Sequence, residues 1–235
     1  MSWFGTRAPK PEFRLAGELK APRFQRTTGK SARERRDLLS IGVIDDEPFQ
    51  PHHNLENVGY KISLLGDPQT VNTVVPYQII LCDLQGVGQA LDTRRQGAFL
   101  IREIKRNFPE KYVVAYTGGP AHSGISRESA LAADAFLKKD ADIETWTEKL
   151  DSIILELVDP YRVWMRQRRA FIDRDVDTLT IIKLEDAYVR SIANGSSSPD
   201  KSALAELVSR SGLPGDIRAI VQSFVSSIIF KVLIG

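Results

Sequence analysis

Residues 77–88 (YQIILCDLQGVG) constrain the fold more than any other stretch of this chain. Four apolar residues, 79–82, run directly into Asp83 and then into a loop that contains glycine. A continuous apolar run of this length is typical of a strand buried on both faces, as in a parallel sheet. Asp83 would then lie at the carboxyl end of that strand, where open α/β sheets bind their ligands.

Three further strand-like runs end in polar or charged side chains: residues 40–44 lead into Asp45 and Asp46, residues 112–116 into Thr117, and residues 135–137 into Lys138 and Lys139. These runs alternate with helical patterns between residues 38 and 158. Such alternation predicts an α/β fold with a doubly wound parallel sheet. If the strands are parallel neighbours, three carboxylates, a hydroxyl and an ammonium meet at one edge of the sheet.

The parts of the chain on either side of this region differ from it. Residues 1–37 contain ten basic and four acidic residues, a net charge of +6. We interpret them as a basic N-terminal arm that docks on its own domain or on a partner. Residues 159–235 contain helical patterns only, with helices expected at about 175–193, 200–211 and 215–233. We therefore predict an α/β domain at 38–158 and an all-α C-terminal module at 159–235.

The composition predicts a cytoplasmic protein. Cys82 is the single cysteine and lies in the predicted central strand, so no disulfide framework exists. No apolar window is long enough for a membrane span, and no secretory signal is visible. His52, His53 and His122 fall in predicted loops, where we assign them surface or hydrogen-bonding roles and predict no zinc site.

The residue types at the sheet edge point to phosphoryl chemistry. Mg²⁺ prefers one or two carboxylates and completes its shell with water and phosphate oxygens, which suits Asp45 and Asp46. Asp83 beside that ion could attack phosphorus and form an aspartyl phosphate. A lysine would neutralise phosphoryl charge, and Thr117 could donate a hydrogen bond. Each residue alone is commonplace, but together they predict a Mg²⁺-dependent phosphoryl-transfer site.

Four motifs also carry a resemblance to a known family: IDDEP at 44–48, the strand-end Asp83, Thr117 after VVAY, and DAFLKK at 134–139. They resemble the receiver domain of bacterial two-component response regulators, over about residues 38–158. The resemblance implies a five-stranded, flavodoxin-like parallel sheet of order 2-1-3-4-5. It also implies these roles: Asp45, Asp46, Asp83 and the backbone carbonyl of Gln85 as metal ligands, Asp83 as phosphoryl acceptor, Thr117 and Phe136 as switch residues, and Lys139 as the lysine of the site.

The sequence departs from the family pattern outside these residues. Asp140 replaces the proline that usually follows the lysine, and the loop before Gly97 is longer. The first helix of the domain is shortened by Pro51, which bears on the face that family members use to dock a histidine kinase. None of these departures removes a group from the site.

We therefore expect a phosphorelay response regulator that accepts a phosphoryl group on Asp83 with Mg²⁺. The donor would be a histidine kinase or phosphotransfer protein, and the helical module would signal through protein contacts. The resemblance implies no enzyme activity beyond self-phosphorylation and self-dephosphorylation. Two alternatives stay open: a transcription regulator that reads DNA through a helix-turn-helix at about 203–222, and a degenerate receiver that acts as a scaffold.

The last predicted helix carries a stripe of large apolar residues: Ile217, Ile220, Val221, Phe224, Val225, Ile228 and Ile229. Burial contributes about 1.5–3 kcal/mol for each such side chain, so leaving the stripe in water would cost on the order of 10 kcal/mol. A small helical module covers only part of such a face. We therefore predict a homodimer through the C-terminal helices, and the apolar stripe makes DNA binding the less favoured alternative.

Overall fold

The computed structural model describes residues 12–118, 132–195, 199–210 and 212–235. Its strands are β1 (Ser40–Ile44), β2 (Lys61–Leu64), β3 (Ile79–Asp83), β4 (Tyr112–Thr117) and β5 (Ala135–Lys138). They form one sheet of order β2-β1-β3-β4-β5, and every neighbouring pair is parallel. The predicted fold is confirmed, and the carboxyl ends of all five strands lie along one edge.

Helices flank the sheet and follow one another from residue 143 to the end of the described chain. The α-helices are α1 (Ala32–Arg36), α2 (His52–Asn57), α3 (Gly97–Asn107), α4 (Ile143–Leu157), α5 (Pro160–Ile172), α6 (Thr178–Asn194), α7 (Ala203–Arg210), α8 (Gly215–Ser226) and α9 (Ile228–Ile234). Short 3₁₀ segments cover Ala16–Lys20, Pro22–Phe24, Val71–Val74 and Pro199–Lys201. The helix expected at about 126–133, and His122, lie mainly or wholly outside the described residues.

Two sequence-based helix boundaries are wrong for local reasons. The helix expected from Asp67 to Val75 is only a 3₁₀ turn, because Thr70 caps it and the Asp67 carboxylate instead accepts a hydrogen bond from Gly88 N at 2.5 Å. The helix expected at 215–233 is broken at Ser227. That residue is extended, with φ −72° and ψ 154°, and its hydroxyl accepts a hydrogen bond from Phe230 N, which caps α9.

The hydrophobic core has one cluster on each face of the sheet. The smaller cluster joins alternate residues of β3 and β4 to α3, among them Ile80, Val113 and Leu100. The larger cluster covers the opposite face and continues through α4, α5 and α6 to the last helices. No break in this core occurs near residue 158, and the division of the chain there stays a prediction.

The described part of the N-terminal arm packs on the chain itself. Ala16 and Leu19 are buried, and Ala16 N donates to a Glu185 carboxylate oxygen of α6 at 2.7 Å. Arg36 forms an ion pair with Asp151 of α4 at 2.6 Å. The arm is therefore held by both apolar and charged contacts.

The apolar stripe of the last helices is covered by the chain's own core. Six of its seven members are buried, and only Ile228 is substantially exposed, at 38%. The predicted dimer rested on a stripe that the helical part could not cover by itself. The stripe is covered, because the helical part also packs on the arm and on the base of the sheet. The homodimer stays a prediction, and the apolar stripe of the last helices no longer supports it.

Helices α7 and α8 occupy the segment considered as a DNA-reading motif. The apolar face of α8 belongs to the core, Arg218 is half-buried and Gln222 is exposed. Within the described residues, no single helix has the length and apolar character needed to cross a membrane. The pair α8 and α9 meets that criterion only jointly, and its axis bends by 61°.

A buried carboxyl group lies where the base of the sheet meets α8. Glu110 is 3% exposed, and its Oε1 accepts a hydrogen bond from the Ser223 hydroxyl at 3.1 Å. Among the described residues, no donor lies within hydrogen-bonding distance of Glu110 Oε2. Burial raises the pKa of Glu110 above its usual value, more than the nearby Lys111 and the Ser223 hydrogen bond lower it.

Replacing Glu110 with Gln is expected to stabilise the protein at neutral pH by about 1 kcal/mol or more, because the buried charge is removed and the acceptor for Ser223 is kept. A raised pKa favours folding at low pH, and that contribution is lost as the pH rises through the folded-state value. The advantage of Gln should therefore shrink on acidification. Urea unfolding at several pH values measures it, with the exposed Glu148→Gln as control. Equal stability of wild type and Glu110→Gln at neutral pH would contradict the prediction.

Candidate functional site

Three carboxylates gather at the carboxyl edge of the sheet. Asp45 follows β1 and is 6% exposed, Asp83 ends β3 and is 4% exposed, and Asp46 is exposed. One oxygen from each lies within 4.8 Å of the others. This proximity follows from the parallel register, in which Ile44 pairs with Cys82. The structure thus brings together the three acids that the sequence predicted to share a metal ion.

The loop after β3 leaves room for this acidic group. Gly86 has φ +79°, a conformation that suits glycine, and a Cβ there would collide with the Asp46 carboxylate. Gln85 lies beside it and is exposed, with its backbone N–H 3.4 Å from Asp83 Oδ1. The role of the Gln85 carbonyl as a metal ligand stays a prediction.

Lys139 connects the carboxylates of two strands. Its Nζ lies 2.9 Å from Asp83 Oδ2, 3.2 Å from Asp45 and 3.2 Å from Glu47 Oε2. The side chain reaches them because Lys139 follows β5, and its backbone N–H donates to the Thr117 carbonyl at 3.0 Å. Lys138, the alternative lysine, belongs to β5 and is exposed.

The charges at this edge shift each other's pKa values. Burial raises the pKa of Asp83, and the hydrogen bond from Lys139 offsets this only in part. Burial alone would lower the pKa of the Lys139 ammonium, but its hydrogen bonds to Asp83 and Glu47 outweigh burial and raise it. The lysine therefore stays charged and balances carboxylates that would otherwise repel each other.

The two predicted switch residues lie on β4 and β5. Thr117 ends β4, is 4% exposed and pairs with Lys138 in the sheet. Phe136 is half-buried against the smaller core cluster. The structure places Thr117 at the same edge as Asp83 and Lys139, but it does not test the role of either residue in switching.

Sequence reasoning missed two residues of the site. The Tyr116 hydroxyl donates to Asp45 Oδ2 at 2.7 Å, and Glu47 accepts a hydrogen bond from Lys139. The available signal was position alone, because Tyr116 directly precedes Thr117 and Glu47 directly follows the acidic pair. An aromatic residue inside an apolar strand looks like an ordinary core residue, so the sequence gives no sign that its hydroxyl reaches the site.

The donor set fits a hard divalent cation. Carboxylate oxygens from Asp45, Asp46 and Asp83 are the ligand type that Mg²⁺ prefers, and Gly86 keeps the space beside them clear of a side chain. Because Asp46 is exposed, water can complete the shell. These three residues would hold the ion.

The long loop between β3 and α3 is held by polar contacts to itself and to its neighbours. Gln96 has φ +47°, which is unusual for a residue other than glycine, and its Oε1 accepts a hydrogen bond from Gly86 N at 3.1 Å. The Asp92 carboxylate accepts hydrogen bonds from Arg94 N and Arg95 N. These contacts hold the loop, and its Gly86 end lies beside the Asp46 carboxylate.

The histidine pair has a neighbour that the sequence did not suggest. His52 and His53 stack with ring centroids 5.1 Å apart, and Glu56 lies 3.3 Å from His52 Nε2. One ligand atom from each of the three residues lies within 4.8 Å of the others, although His53 and Glu56 are exposed. The sequence-based placement of both residues in a loop is wrong, because they begin α2, and their surface or hydrogen-bonding role stays a prediction.

No family model and no curated protein matches the chain. Solved structures do match about half of it. A response regulator from Thermotoga maritima is 20% identical, with a TM-score of 0.40, and the match covers 49% of this chain and 97% of that one. The receiver domain of NtrX from Brucella abortus is 21% identical, with a TM-score of 0.40, and covers 50% and 98%.

A third match is the N-terminal receiver domain of a response regulator from Bacteroides fragilis, at 24% identity and a TM-score of 0.39, covering 49% of this chain and 97% of that one. Likeness at this level says nothing about the activity of this chain. The sheet order and the positions of the edge residues are observed in this chain and do not depend on these matches. What the chain resembles, over about half its length, is the receiver domain of response regulators.

Proposed function

We propose that the chain is a phosphorelay response regulator that accepts a phosphoryl group on Asp83 in the presence of Mg²⁺. One observation carries the proposal: the Lys139 ammonium bridges Asp83 and Asp45 at an edge that also holds Asp46 and Thr117. A nucleophilic carboxylate, a cation site and a fixed ammonium are the groups that phosphoryl transfer to an aspartate requires.

Each side chain has a separate role in the proposed phosphoryl transfer. An Asp83 carboxylate oxygen attacks phosphorus, a new O–P bond forms, and the donor's leaving group departs with the electron pair of its bond to phosphorus. Lys139 stabilises negative charge on the phosphoryl oxygens, and the Thr117 hydroxyl donates to one of them. Mg²⁺, when bound, supplies positive charge at the same oxygens. Hydrolysis reverses the modification when water attacks phosphorus and Asp83 leaves as a carboxylate.

The partners in this proposal are a histidine kinase or phosphotransfer protein as donor and an unidentified protein as receiver of the signal. We propose no enzymatic activity on any other substrate, because the site modifies only its own aspartate. The helical part of the chain would carry the signal through altered contacts. The DNA-binding alternative has no specific observation in its favour, since the apolar face of α8 is buried in the core.

Exposure to a small acyl phosphate and Mg²⁺ tests the proposal. Intact-mass spectrometry should show the addition of one phosphoryl group, and chelation of the metal should prevent it. Hydroxylamine should remove the group, because it cleaves acyl phosphates and leaves phosphoserine intact. A protein that gains no phosphoryl group from several such donors would instead be a degenerate receiver that acts as a scaffold.

A further inference from the structure

The Tyr116 side chain reaches the acidic group from inside the core. The residue is fully buried on β4, and its hydroxyl donates to Asp45 Oδ2 at 2.7 Å. A phenol in this position lies behind the carboxylate cluster, on the side away from solvent. It forms a neutral hydrogen bond to an oxygen that also lies 3.2 Å from the Lys139 ammonium.

Aromatic packing fixes the direction of this hydroxyl. The Tyr116 ring packs edge-to-face against Phe49 and Trp146, with centroids 5.7 Å away in both cases. Phe49 and Trp146 also pack edge-to-face, at 5.3 Å, so the three rings form a closed cluster. Such pairs are favourable beyond the area they bury, and they hold each ring in one orientation.

Both oxygens of Asp45 have donors besides Tyr116. Asp45 Oδ1 accepts hydrogen bonds from Glu47 N at 3.0 Å and from Lys139 Nζ at 3.2 Å. Lys139 Nζ lies equally close to Asp45 Oδ2, so the Tyr116 hydroxyl is a neutral donor to an oxygen that it shares with the lysine. The phenol, the ammonium and the Glu47 N–H together orient the Asp45 carboxylate, which lies beside Asp46 and Asp83.

We propose that Tyr116 is a positioning residue for the metal site, an inference that rests on the proposed function. Groups that orient a ligand without touching the metal commonly contribute tenfold to hundredfold to metal affinity. Mg²⁺ requires nearly ideal octahedral geometry, whereas Ca²⁺ tolerates irregular shells. Loss of the phenol hydroxyl should therefore weaken Mg²⁺ binding about tenfold and Ca²⁺ binding much less.

The test compares Mg²⁺ and Ca²⁺ affinities, measured by calorimetry, for wild type and Tyr116→Phe. The matched control is Tyr112→Phe, which removes a hydroxyl from the same strand at the opposite end, 3.5 Å from the Asp134 carbonyl. Unfolding without metal measures any general loss of stability in both variants. We expect a fall of about tenfold in Mg²⁺ affinity and a lower Mg²⁺-to-Ca²⁺ ratio for Tyr116→Phe alone.

Each other outcome has a definite meaning. A wild type that binds Mg²⁺ while Tyr116→Phe binds it equally well would overturn this inference and leave the proposed function in place. Equal losses for Mg²⁺ and Ca²⁺, or the same loss in Tyr112→Phe, would also overturn it, because both indicate a general structural effect. A wild type that binds no divalent cation would remove the proposed function and this inference together.

Discussion

Asp83→Asn is expected to abolish phosphoryl uptake from a small acyl phosphate, even with saturating Mg²⁺. The amide keeps the size of the side chain but has no anionic oxygen that can attack phosphorus, so the acyl phosphate cannot form. The amide also leaves Lys139, which lies 2.9 Å from Asp83 Oδ2, with fewer negative partners. Mass spectrometry of the intact protein measures the loss directly.

Asp67→Asn provides the matched control for this change. Asp67 is a carboxylate near the same loop, where it accepts a hydrogen bond from Gly88 N, but it does not belong to the acidic group around Lys139. The control should keep most of the uptake. Phosphorylation that persists in Asp83→Asn would place the modified residue elsewhere and would contradict the assigned site.

Asp134→Ala is expected to cause the largest loss of stability, about 3 kcal/mol or more. The Asp134 carboxylate forms ion pairs with Lys105 of α3 at 2.9 Å and with Arg166 of α5 at 3.1 Å, and it accepts a hydrogen bond from Val113 N. All three charged side chains are at most 22% exposed. Removing the acid leaves two partly buried cations close together without their common partner.

The loss should depend on pH. Burial would raise the pKa of Asp134, but Lys105 and Arg166 together lower it below its usual value. A lowered pKa contributes stability above the unfolded-state value, and the contribution disappears as the pH falls through the folded-state value. The difference between wild type and Asp134→Ala should therefore be largest near neutral pH and shrink in acid.

Urea unfolding of Asp173→Ala supplies the comparison. Asp173 pairs with Arg169 at 2.9 Å, but their side chains are 52% and 77% exposed. Exposed pairs of this kind contribute about 0–1 kcal/mol, so the control should be nearly silent. Similar losses in the two variants would show that the Asp134 group is no more important than a surface ion pair.

The sequence allowed the sheet and most of the edge to be predicted, for a simple physical reason. A buried strand such as β3 requires a continuous apolar run, and the residue that follows it must lie at the sheet edge. Asp45, Asp83 and Lys139 could be placed from this rule and from the resemblance together. Only their order along the chain was needed, because a parallel register places the carboxyl ends of neighbouring strands side by side.

Contacts between distant segments could not be predicted in the same way. Nothing in the pattern around Arg166 indicates a partner in Asp134, and nothing around Glu110 indicates Ser223. The break at Ser227 has a related cause, since a serine inside an apolar helix is tolerated or caps a new helix according to its surroundings. The sequence shows the apolar stripe of the last helices, but it does not show that distant parts of the chain bury this stripe.

The continuous core limits how this architecture can be rearranged. The larger cluster runs from Ala16 through the sheet face to Ile234, and Arg166 and Ser223 add polar contacts from the helices to the base of the sheet. A cut near residue 158 would place apolar surface from both pieces in water. Exchange of the helical part for an unrelated one by recombination would therefore require a new interface. Substitutions in the α/β part and in the helices that share its core must accordingly compensate each other.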